Sequence, residues 1–389
     1  MAKSSGTISL PLAVIIGLNA VIGAGIFGIP AALQVTAGPA GLVTFLAVII
    51  AVLFIALGLG RMTTLYPMES FFYQYPKLWL GHAGGLLTTT LYVLGLVTAL
   101  GLLSFLAGSY TAANLPFFSP IGWAVAFLIT LVLLNLLGAR ANTAGQIVLL
   151  IFTILPLVII TSMCATKIDV SHATPFAPHG LWGAFEAIKV VAFSLFGFEA
   201  IPSLFSTLKN PRKTAPIALA LTVIITGLCY LTFTGSILLA APQNFFTSAT
   251  EPLSKLMLTL FPQFSWLVKL IDGAIVITIL GTVHSLLWSV SALVADTAHS
   301  IRGRKTISRH VILLFVGIGA ICCSLFFANI NLLLSIISVA IAGAYATSLV
   351  PLITLPYQRS FWQIILAFLG IGCSLVLCTC GILGIIAAW

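Results

Sequence analysis

Two stretches inside apolar segments combine residue types that can bind a small charged ligand. Val21 to Pro30 reads Val-Ile-Gly-Ala-Gly-Ile-Phe-Gly-Ile-Pro, and Phe193 to Pro202 reads Phe-Ser-Leu-Phe-Gly-Phe-Glu-Ala-Ile-Pro. Glycine and proline interrupt helices, and an unpartnered backbone group in hydrocarbon costs several kcal/mol. An interruption is tolerated there only where it is buried in protein or lines a polar cavity. The two stretches therefore predict two broken membrane helices that form a ligand site.

The helix ends at these two breaks predict the chemistry of the ligand. In the first segment the outer half-helix would begin near Ile26, so the free N–H groups of residues 23 to 26 favour a carboxylate. In the other segment the outer half-helix would end near residues 193 to 196, where free carbonyls favour an ammonium group. A zwitterion with both groups on one carbon matches this pair. The alternative is that both are kinked helices whose glycines allow close packing.

Two ionisable residues lie away from the ends of apolar segments, where charge is rare and marks function by default. Glu199 follows the second break, where it could cap the inner half-helix or act as a titrating carboxylate coupled to opening. His284 lies near the middle of its segment, beside Ser285. It could be a structural group with satisfied hydrogen bonds, a proton carrier or a substrate contact. Both residues are therefore candidates for proton coupling.

The elements that must position these residues are membrane helices. The chain has 389 residues, of which 60% are hydrophobic and 6% charged. No soluble core absorbs so much apolar surface, so the sequence predicts an all-α polytopic membrane protein of one domain. A 20-residue hydrophobic window gives eleven spans, at about 9–34, 40–60, 84–110, 121–138, 144–163, 182–207, 216–240, 266–298, 310–328, 331–355 and 361–386.

The positive charges of the loops predict the orientation. With a cytoplasmic N-terminus, twelve of the sixteen Lys and Arg residues lie inside and four outside, which is the expected bias. The inner set is Lys3, Arg61, Lys77, Arg140, Lys209, Arg212, Lys213, Arg302, Arg304, Lys305, Arg309 and Arg359, and the outer set is Lys167, Lys189, Lys255 and Lys269. Although the net charge is +9, no clustered basic face predicts a nucleic-acid partner.

The spans divide into two halves of five, at about 9–163 and 182–355, with an extra helix at about 361–386. Because five is odd, the second half would insert upside down relative to the first, which is the inverted-repeat design. Spans one and six begin the halves, and both are the interrupted ones.

Three motifs resemble those of the amino acid–polyamine–organocation superfamily. Gly23 to Phe27 is similar to its Gly-Ser/Ala-Gly-Ile/Val-Phe motif, Gly197-Phe198-Glu199 to its Gly-Phe/Val-Glu motif, and Lys209 to Lys213 to its Lys-Asn-Pro-Arg/Lys-Arg loop. Arg140 to Pro156 resembles arginine/agmatine-type exchangers. The resemblance implies a LeuT-like five-plus-five fold with broken helices 1 and 6, and movement of amino acids or amines by proton symport or exchange. Members usually have twelve spans, against eleven predicted here.

The resemblance implies most of the site residues, and the intramembrane position of His284 adds this residue and Trp288. The predicted substrate contacts are Ile22, Gly23, Ala24, Gly25, Ile26, Tyr92, Phe193, Ser194, Phe196, Gly197, His284 and Trp288. By position, Phe193 matches the aromatic residue that covers the substrate in related exchangers, and Tyr92 a lining aromatic; ordinary helix packing is the alternative for both. Proton-coupled relatives often carry a lysine midway along span five, where this chain has Thr153. This departure weakens the case for proton symport through a lysine. Exchange, or proton coupling through Glu199 or His284, remains open.

The sequence favours a secondary transporter over the other membrane classes. It contains no His-Glu-x-x-His run or cluster of carboxylates for an enzyme, and no repeated filter or charge ring for a channel. No cofactor or metal site is predicted. The expected partners are a neutral, apolar or small amino acid, protons and the lipid bilayer; a transporter of cationic amino acids or amines, and a sensor without transport, remain alternatives. Low loop content and the absence of a targeting peptide favour a bacterial inner membrane.

Overall fold

A computed structural model describes residues 8–23, 25–68, 70–242, 245–248, 253–302, 308–325, 330–355 and 361–386. These residues form fifteen α-helices and no strand. The helices are α1 Leu10–Val21, α2 Gly25–Thr36, α3 Gly41–Leu65, α4 Phe71–Asn114, α5 Pro120–Leu136, α6 Ala139–Ala165, α7 Gly180–Leu195, α8 Ala200–Ser203, α9 Pro211–Ala240, α10 Leu253–Leu260, α11 Trp266–Arg302, α12 Arg309–Leu325, α13 Ile330–Leu349, α14 Pro351–Thr354 and α15 Phe361–Ile386.

The lengths and hydropathy of the helices confirm an all-α polytopic membrane protein. Within the described chain, seven helices are long and apolar enough to cross a bilayer, and α1 with α2 makes an eighth span bent by 48°. The apolar helices α5 and α12 are shorter, at 17 residues each. The sixth predicted span consists of α7, a break, and the short helix α8 followed by a 3-10 turn at Phe205–Thr207.

Residues 62 to 82, which lie between the second and third predicted spans, are mostly helical. Helix α3 continues to Leu65, and α4 already begins at Phe71. The hydropathy window missed these turns because their apolar side chains are aromatic and interrupted by polar residues; Phe71 and Phe72 are nonetheless fully buried. Gly81 adopts φ 71°, so the chain changes direction inside α4, between its first ten residues and the membrane span that follows.

The two broken segments occupy the centre of the helix packing. Helix α1 contacts α6, α8, α9 and α11, and α2 contacts α7 and α9. Helix α4 packs against α5, α11, α12 and α13. The breaks are therefore enclosed by protein rather than exposed to lipid, as the backbone of an interrupted span requires.

A backbone bridge joins the segments that flank the breaks on one side of the molecule. Ile8, just before α1, donates its N–H to the Thr207 carbonyl at 3.1 Å and accepts from the Lys209 N–H at 2.8 Å. The start of the first broken span and the end of the second are thus held together by main-chain bonds, which do not depend on side-chain identity.

The two breaks touch each other at Gly197. This residue has φ 119°, a conformation that side chains disfavour, and a Cβ built on it would collide with the backbone oxygen of Ala20 at the end of α1. The second break can approach the first this closely only because position 197 has no side chain.

We predict that Gly197→Ala destabilises the protein by at least about 1–2 kcal/mol, since both the backbone conformation and the contact with Ala20 disfavour a methyl group. The measurement is thermal unfolding of the protein in detergent. Gly343→Ala is the matched control, because Gly343 is helical and a Cβ there meets no atom within 4 Å. We expect the control to be neutral or slightly stabilising; equal effects of the two substitutions would contradict the prediction.

Candidate functional site

The first break separates the ends of α1 and α2. Helix α1 ends at Val21, and the Ile22 N–H still bonds to the Leu18 carbonyl at 2.7 Å. Helix α2 begins at Gly25, and the Ile26 N–H makes a long contact of 3.4 Å to the Gly23 carbonyl. The first N–H groups of α2 therefore point away from the helix with no regular partner, which makes this end electropositive.

Hydroxyl groups from two other helices cap the carbonyl end of α1. The Thr282 hydroxyl on α11 lies 2.8 Å from the Asn19 carbonyl and 3.0 Å from the Ile22 carbonyl. The Tyr230 hydroxyl on α9 donates to the Val21 carbonyl at 3.1 Å. These neutral donors satisfy carbonyls that the break leaves without helical partners.

A buried amide network ties α1 to α6 and α11. The Asn19 amide donates to the Gln146 backbone carbonyl and to its side-chain oxygen, both at 2.7 Å. The Ser285 hydroxyl donates to the same Gln146 oxygen at 2.7 Å. Since all three side chains are almost completely buried, the network fixes α1 to its neighbours in the low-dielectric interior.

The second break lies between the end of α7 and Glu199. Phe196 leaves the helix in an extended conformation, with φ −70° and ψ 152°, and Gly197 follows. The Ser194 hydroxyl bonds back to the Val191 carbonyl at 2.7 Å. The later carbonyls of α7 lie at an electronegative helix end that faces the break in span one. Gly25 and Ser194 mark this contact, because a Cβ on Gly25 would lie 3.3 Å from the Ser194 Cβ.

Glu199 is fully buried beside two tyrosines. Its Oε2 accepts the Gly197 N–H at 2.9 Å, while Oε1 has no hydrogen-bond partner among the described residues. Tyr92 on α4 and Tyr345 on α13 interact electrostatically with this carboxyl group, although neither hydroxyl reaches hydrogen-bond geometry with it. Of the acidic residues whose side chains are described, Glu199 alone is fully buried. A carboxyl and two hydroxyls thus meet directly under the second break.

The breaks open onto a small cavity of about 40 Å³. Six predicted contacts line it, namely Gly23, Gly25, Phe193, Ser194, Phe196 and Gly197, together with the coupling candidate Glu199. The remaining lining residues are Ala20, Val21, Leu96, Ala99, Leu103, Thr282, Leu286, Ile337 and Ile341. The two broken segments that the sequence places 170 residues apart in the chain thus form one side of a single cavity.

Other predicted contacts lie next to the cavity without lining it. Ile22 and Ile26 are fully buried within the first break, and Tyr92 lies behind the cavity against Glu199. Ala24 lies outside the described residues. A direct substrate contact by any of these residues stays a prediction.

His284 and Trp288 lie on α11 away from the cavity lining. The His284 Nδ1 accepts from the Asn135 amide at 2.9 Å, so Nε2 carries the proton in the neutral ring. A Cβ added to Gly145 on α6 would lie 3.2 Å from Nε2. One turn further along, the Trp288 carbonyl accepts from the Arg309 guanidinium at 2.9 Å. The His284 ring thus lies between α5 and α6, the Trp288 side chain is buried, and the roles of both at the substrate stay predictions.

Sequence reasoning missed the residues that support the breaks. Asn19 and Gln146 carried a usable signal, because side-chain amides within apolar spans are costly without partners. Thr282, Tyr230 and Tyr345 carried none, since hydroxyl residues are common in membrane helices and only the three-dimensional packing shows what they contact.

A comparison with known families matches residues 8–387 to the amino acid permease family. This chain belongs to that family. The match covers both breaks and the helices that enclose them, and it confirms the resemblance to the amino acid–polyamine–organocation superfamily. Membership places the permease among membrane transporters rather than enzymes.

Curated relatives of this permease are distant. It is 26% identical over 289 residues to the branched-chain amino acid permease BcaP of Bacillus subtilis, covering 67% of this chain and 60% of the relative. It is also 26% identical over 238 residues to the methylthioribose transporter of the same organism, covering 56% of this chain and 51% of the relative. The matched part thus spans only about half to three fifths of these relatives.

Solved structures confirm the LeuT-type fold of the permease. MhsT in complex with L-phenylalanine superposes with a TM-score of 0.67 over 96% of this chain and 98% of that chain, at 13% identity. A Na⁺-coupled sialic acid symporter in a substrate-bound outward-open state gives a TM-score of 0.65 over 99% and 91% of the two chains, at 12% identity. At such identities the likeness concerns the fold alone.

We predict that Thr282→Val destabilises the permease by about 1–3 kcal/mol, because the isosteric change removes the hydroxyl donor shared by the buried carbonyls of Asn19 and Ile22. Thr226→Val on α9 is the matched control, since its buried hydroxyl has no partner among the described residues. Thermal unfolding should show a loss for the first variant and none for the second. Equal melting temperatures would mean that the Thr282 hydroxyl does not support the break.

Proposed function

We propose that this permease is a secondary transporter that carries amino acids across the membrane by alternating access. The observation that carries the proposal is the meeting of two opposite helix ends at one cavity. The start of α2 is electropositive and suits a carboxylate, while the end of α7 is electronegative and suits an ammonium group. An α-amino acid presents both groups from a single carbon.

We further propose a neutral substrate with an apolar or small side chain. Glu199 is the one acidic residue among the described residues that line the cavity, and it is partly engaged by the Gly197 N–H. A cationic substrate side chain, in addition to the α-ammonium group, would therefore lack a carboxylate to pair with. The similarity to a branched-chain amino acid permease supports this substrate class.

Glu199 is the proposed coupling group, in exchange or in proton-coupled uptake. Its carboxyl is bonded to the second break and faces two tyrosines from α4 and α13. Gain or loss of a proton changes the charge at the junction between the broken segment and the opposite wall, which can favour one conformation over another. His284 remains a weaker candidate, because it lies outside the cavity and the amide of Asn135 binds its ring.

The proposed motion is the rocking of one helix group against the other around the breaks. The two halves, about 9–163 and 182–355, would insert as inverted repeats in a bacterial inner membrane, with the N-terminus in the cytoplasm. Loop charges support this orientation. The described residues exclude four members of the inner set, Lys3, Arg304, Lys305 and Arg359. They also exclude the side chains of Arg140 and Arg302 of the inner set and of Lys189 of the outer set.

Counterflow in proteoliposomes tests transport directly. Vesicles that contain the purified permease and an excess of an unlabelled neutral amino acid should accumulate the labelled form above the level of protein-free vesicles. If binding of amino acids occurs without counterflow of any of them, the permease is a sensor on a transporter fold and the transport proposal is wrong.

We predict that Glu199→Gln flattens the pH dependence of transport, because the amide keeps the shape of the side chain but cannot titrate. Uptake is measured between pH 5 and 8, the range in which buried carboxyls and histidines commonly titrate. Glu186→Gln is the matched control, since Glu186 lies exposed on α7. A pH profile of Glu199→Gln that matches the wild type would reduce Glu199 to a structural residue of the break.

A further inference from the structure

Residues 71–80 form the first part of α4 and are set off from the rest of the chain at both ends. Ser70 before them has φ 58° and Gly81 after them has φ 71°, both in the left-handed region that a right-handed helix excludes. Within this 71–80 segment, Pro76 removes the helical hydrogen bond to the Phe72 carbonyl. Local helix bonding therefore holds the segment weakly, and its position depends on contacts with the rest of the molecule.

The buried face of the 71–80 segment reaches the tyrosines beside Glu199. The centroid of the Phe72 ring lies 3.8 Å from that of Tyr92 and 6.2 Å from that of Tyr345, and Phe72 is fully buried. Tyr92 and Tyr345 are the residues that interact electrostatically with the Glu199 carboxyl group. A movement of the segment would therefore uncover the side of this cluster that Phe72 covers.

Two polar contacts of the 71–80 segment end on backbone carbonyls. The Tyr75 hydroxyl donates to the Tyr66 carbonyl at 2.9 Å, and the Trp79 indole N–H donates to the Thr347 carbonyl on α13 at 3.0 Å. A backbone carbonyl accepts in the same way at any pH between 5 and 8, because it carries no titratable group. These two contacts therefore hold the segment independently of pH.

Another contact joins a buried tyrosine to an exposed histidine. The Tyr73 hydroxyl lies 2.6 Å from the His82 Nδ1, across the turn at Gly81, and the two rings meet edge to face with 5.7 Å between their centroids. Tyr73 is 1% exposed, whereas His82 is exposed. In a neutral histidine Nδ1 can accept the hydroxyl proton, which gives the buried hydroxyl the partner that it needs.

We propose that the Tyr73–His82 contact is a pH-sensitive lock, which holds the 71–80 segment against the cluster around Glu199 and opens when His82 takes up a proton. The proposal rests on the function proposed above, in which Glu199 belongs to the transport machinery. It adds a regulatory contact at an exposed residue that the transport mechanism itself does not use.

Protonation of His82 weakens the contact for two reasons. Both ring nitrogens then carry a proton, so Nδ1 no longer accepts from the Tyr73 hydroxyl, and a buried donor loses its acceptor. The Lys77 ammonium also lies 5.3 Å from the centroid of the Tyr73 ring, so a charged His82 places a second cation beside the same ring. Histidine is the residue type whose charge changes between pH 5 and 8, and acidification therefore opens the lock.

The other charged groups near this contact follow from the elements that pack against α4. Helices α5, α13 and α14 contain no Asp, Glu, Lys, Arg or His. Helix α3, which ends just before the segment, carries Arg61, and Glu69 lies outside the described residues. The charged residues and histidines of α11 and α12 are Lys269, Asp272, His284, Asp296, His299, Arg302, Arg309 and His310. Because three of these are histidines, the test must separate them from His82.

Hydrogen–deuterium exchange of the purified full-length permease, without substrate, tests the lock. Rates are corrected for the intrinsic pH dependence of amide exchange. The amides of the 71–80 segment should then exchange at least about threefold faster at about pH 5 than at about pH 8, which is the scale of one lost hydrogen bond. Equal corrected rates at the two pH values would overturn the proposal.

Three variants separate the lock from a general effect of acid. His82→Asn keeps an acceptor near the position of Nδ1 but cannot gain a proton in this range, so the segment should stay protected at both pH values. Tyr73→Phe removes the hydroxyl and keeps the ring beside Lys77, so the segment should exchange fast at both. His310→Asn is the matched control, because His310 is exposed at the start of α12, and it should keep the wild-type pH dependence. Wild-type pH dependence in His82→Asn, or its loss in His310→Asn, would overturn the proposal.

The exchange experiment uses no substrate, so failure of the lock and failure of the proposed function are distinguishable. A permease that shows no counterflow with any amino acid loses the proposed function, whatever its exchange rates. Counterflow by a permease whose 71–80 segment exchanges independently of pH would overturn the lock alone.

Discussion

The structure depends on one constraint, namely that every backbone polar group within a membrane needs a partner. Two spans of this permease break helical bonding where they touch each other, and contacts from other helices supply partners there. Thr282 and Tyr230 cap the carbonyls at the end of α1, and Gly197 packs directly against that end. The breaks are therefore stable only as a pair, inside the surrounding helices.

The same constraint creates the site. The end of α1 is capped by neighbouring helices, whereas the start of α2 and the end of α7 face a common cavity. The charges that would bind the substrate are thus backbone charges, which are independent of side-chain substitution. Side chains then have separate tasks: the Asn19–Gln146–Ser285 network holds α1 in place, and Glu199 places a carboxyl group at the second break.

The sequence predicted the fold and the breaks because their signals are local. Glycine and proline within an apolar run indicate a broken membrane helix, and two such runs indicate a pair of broken helices. Contacts across the molecule were harder to predict. Tyr92, a predicted substrate contact, lies against Glu199, and His284, which the sequence left open as a structural group, a proton carrier or a substrate contact, binds Asn135. Their partners come from the second break and from α5, and no local pattern specifies which segments meet.

In the proposed mechanism, the carboxylate and the ammonium group of an α-amino acid bind to the two helix ends. Calorimetric binding of leucine, 3-methylbutylamine and 4-methylpentanoate to the wild-type permease tests it most directly, because the two analogues keep the aliphatic chain and each retains one charged group. We expect leucine to bind and either analogue to bind at least about 100-fold more weakly, since each loses one charge-assisted set of hydrogen bonds. Comparable binding of either analogue would contradict the claim.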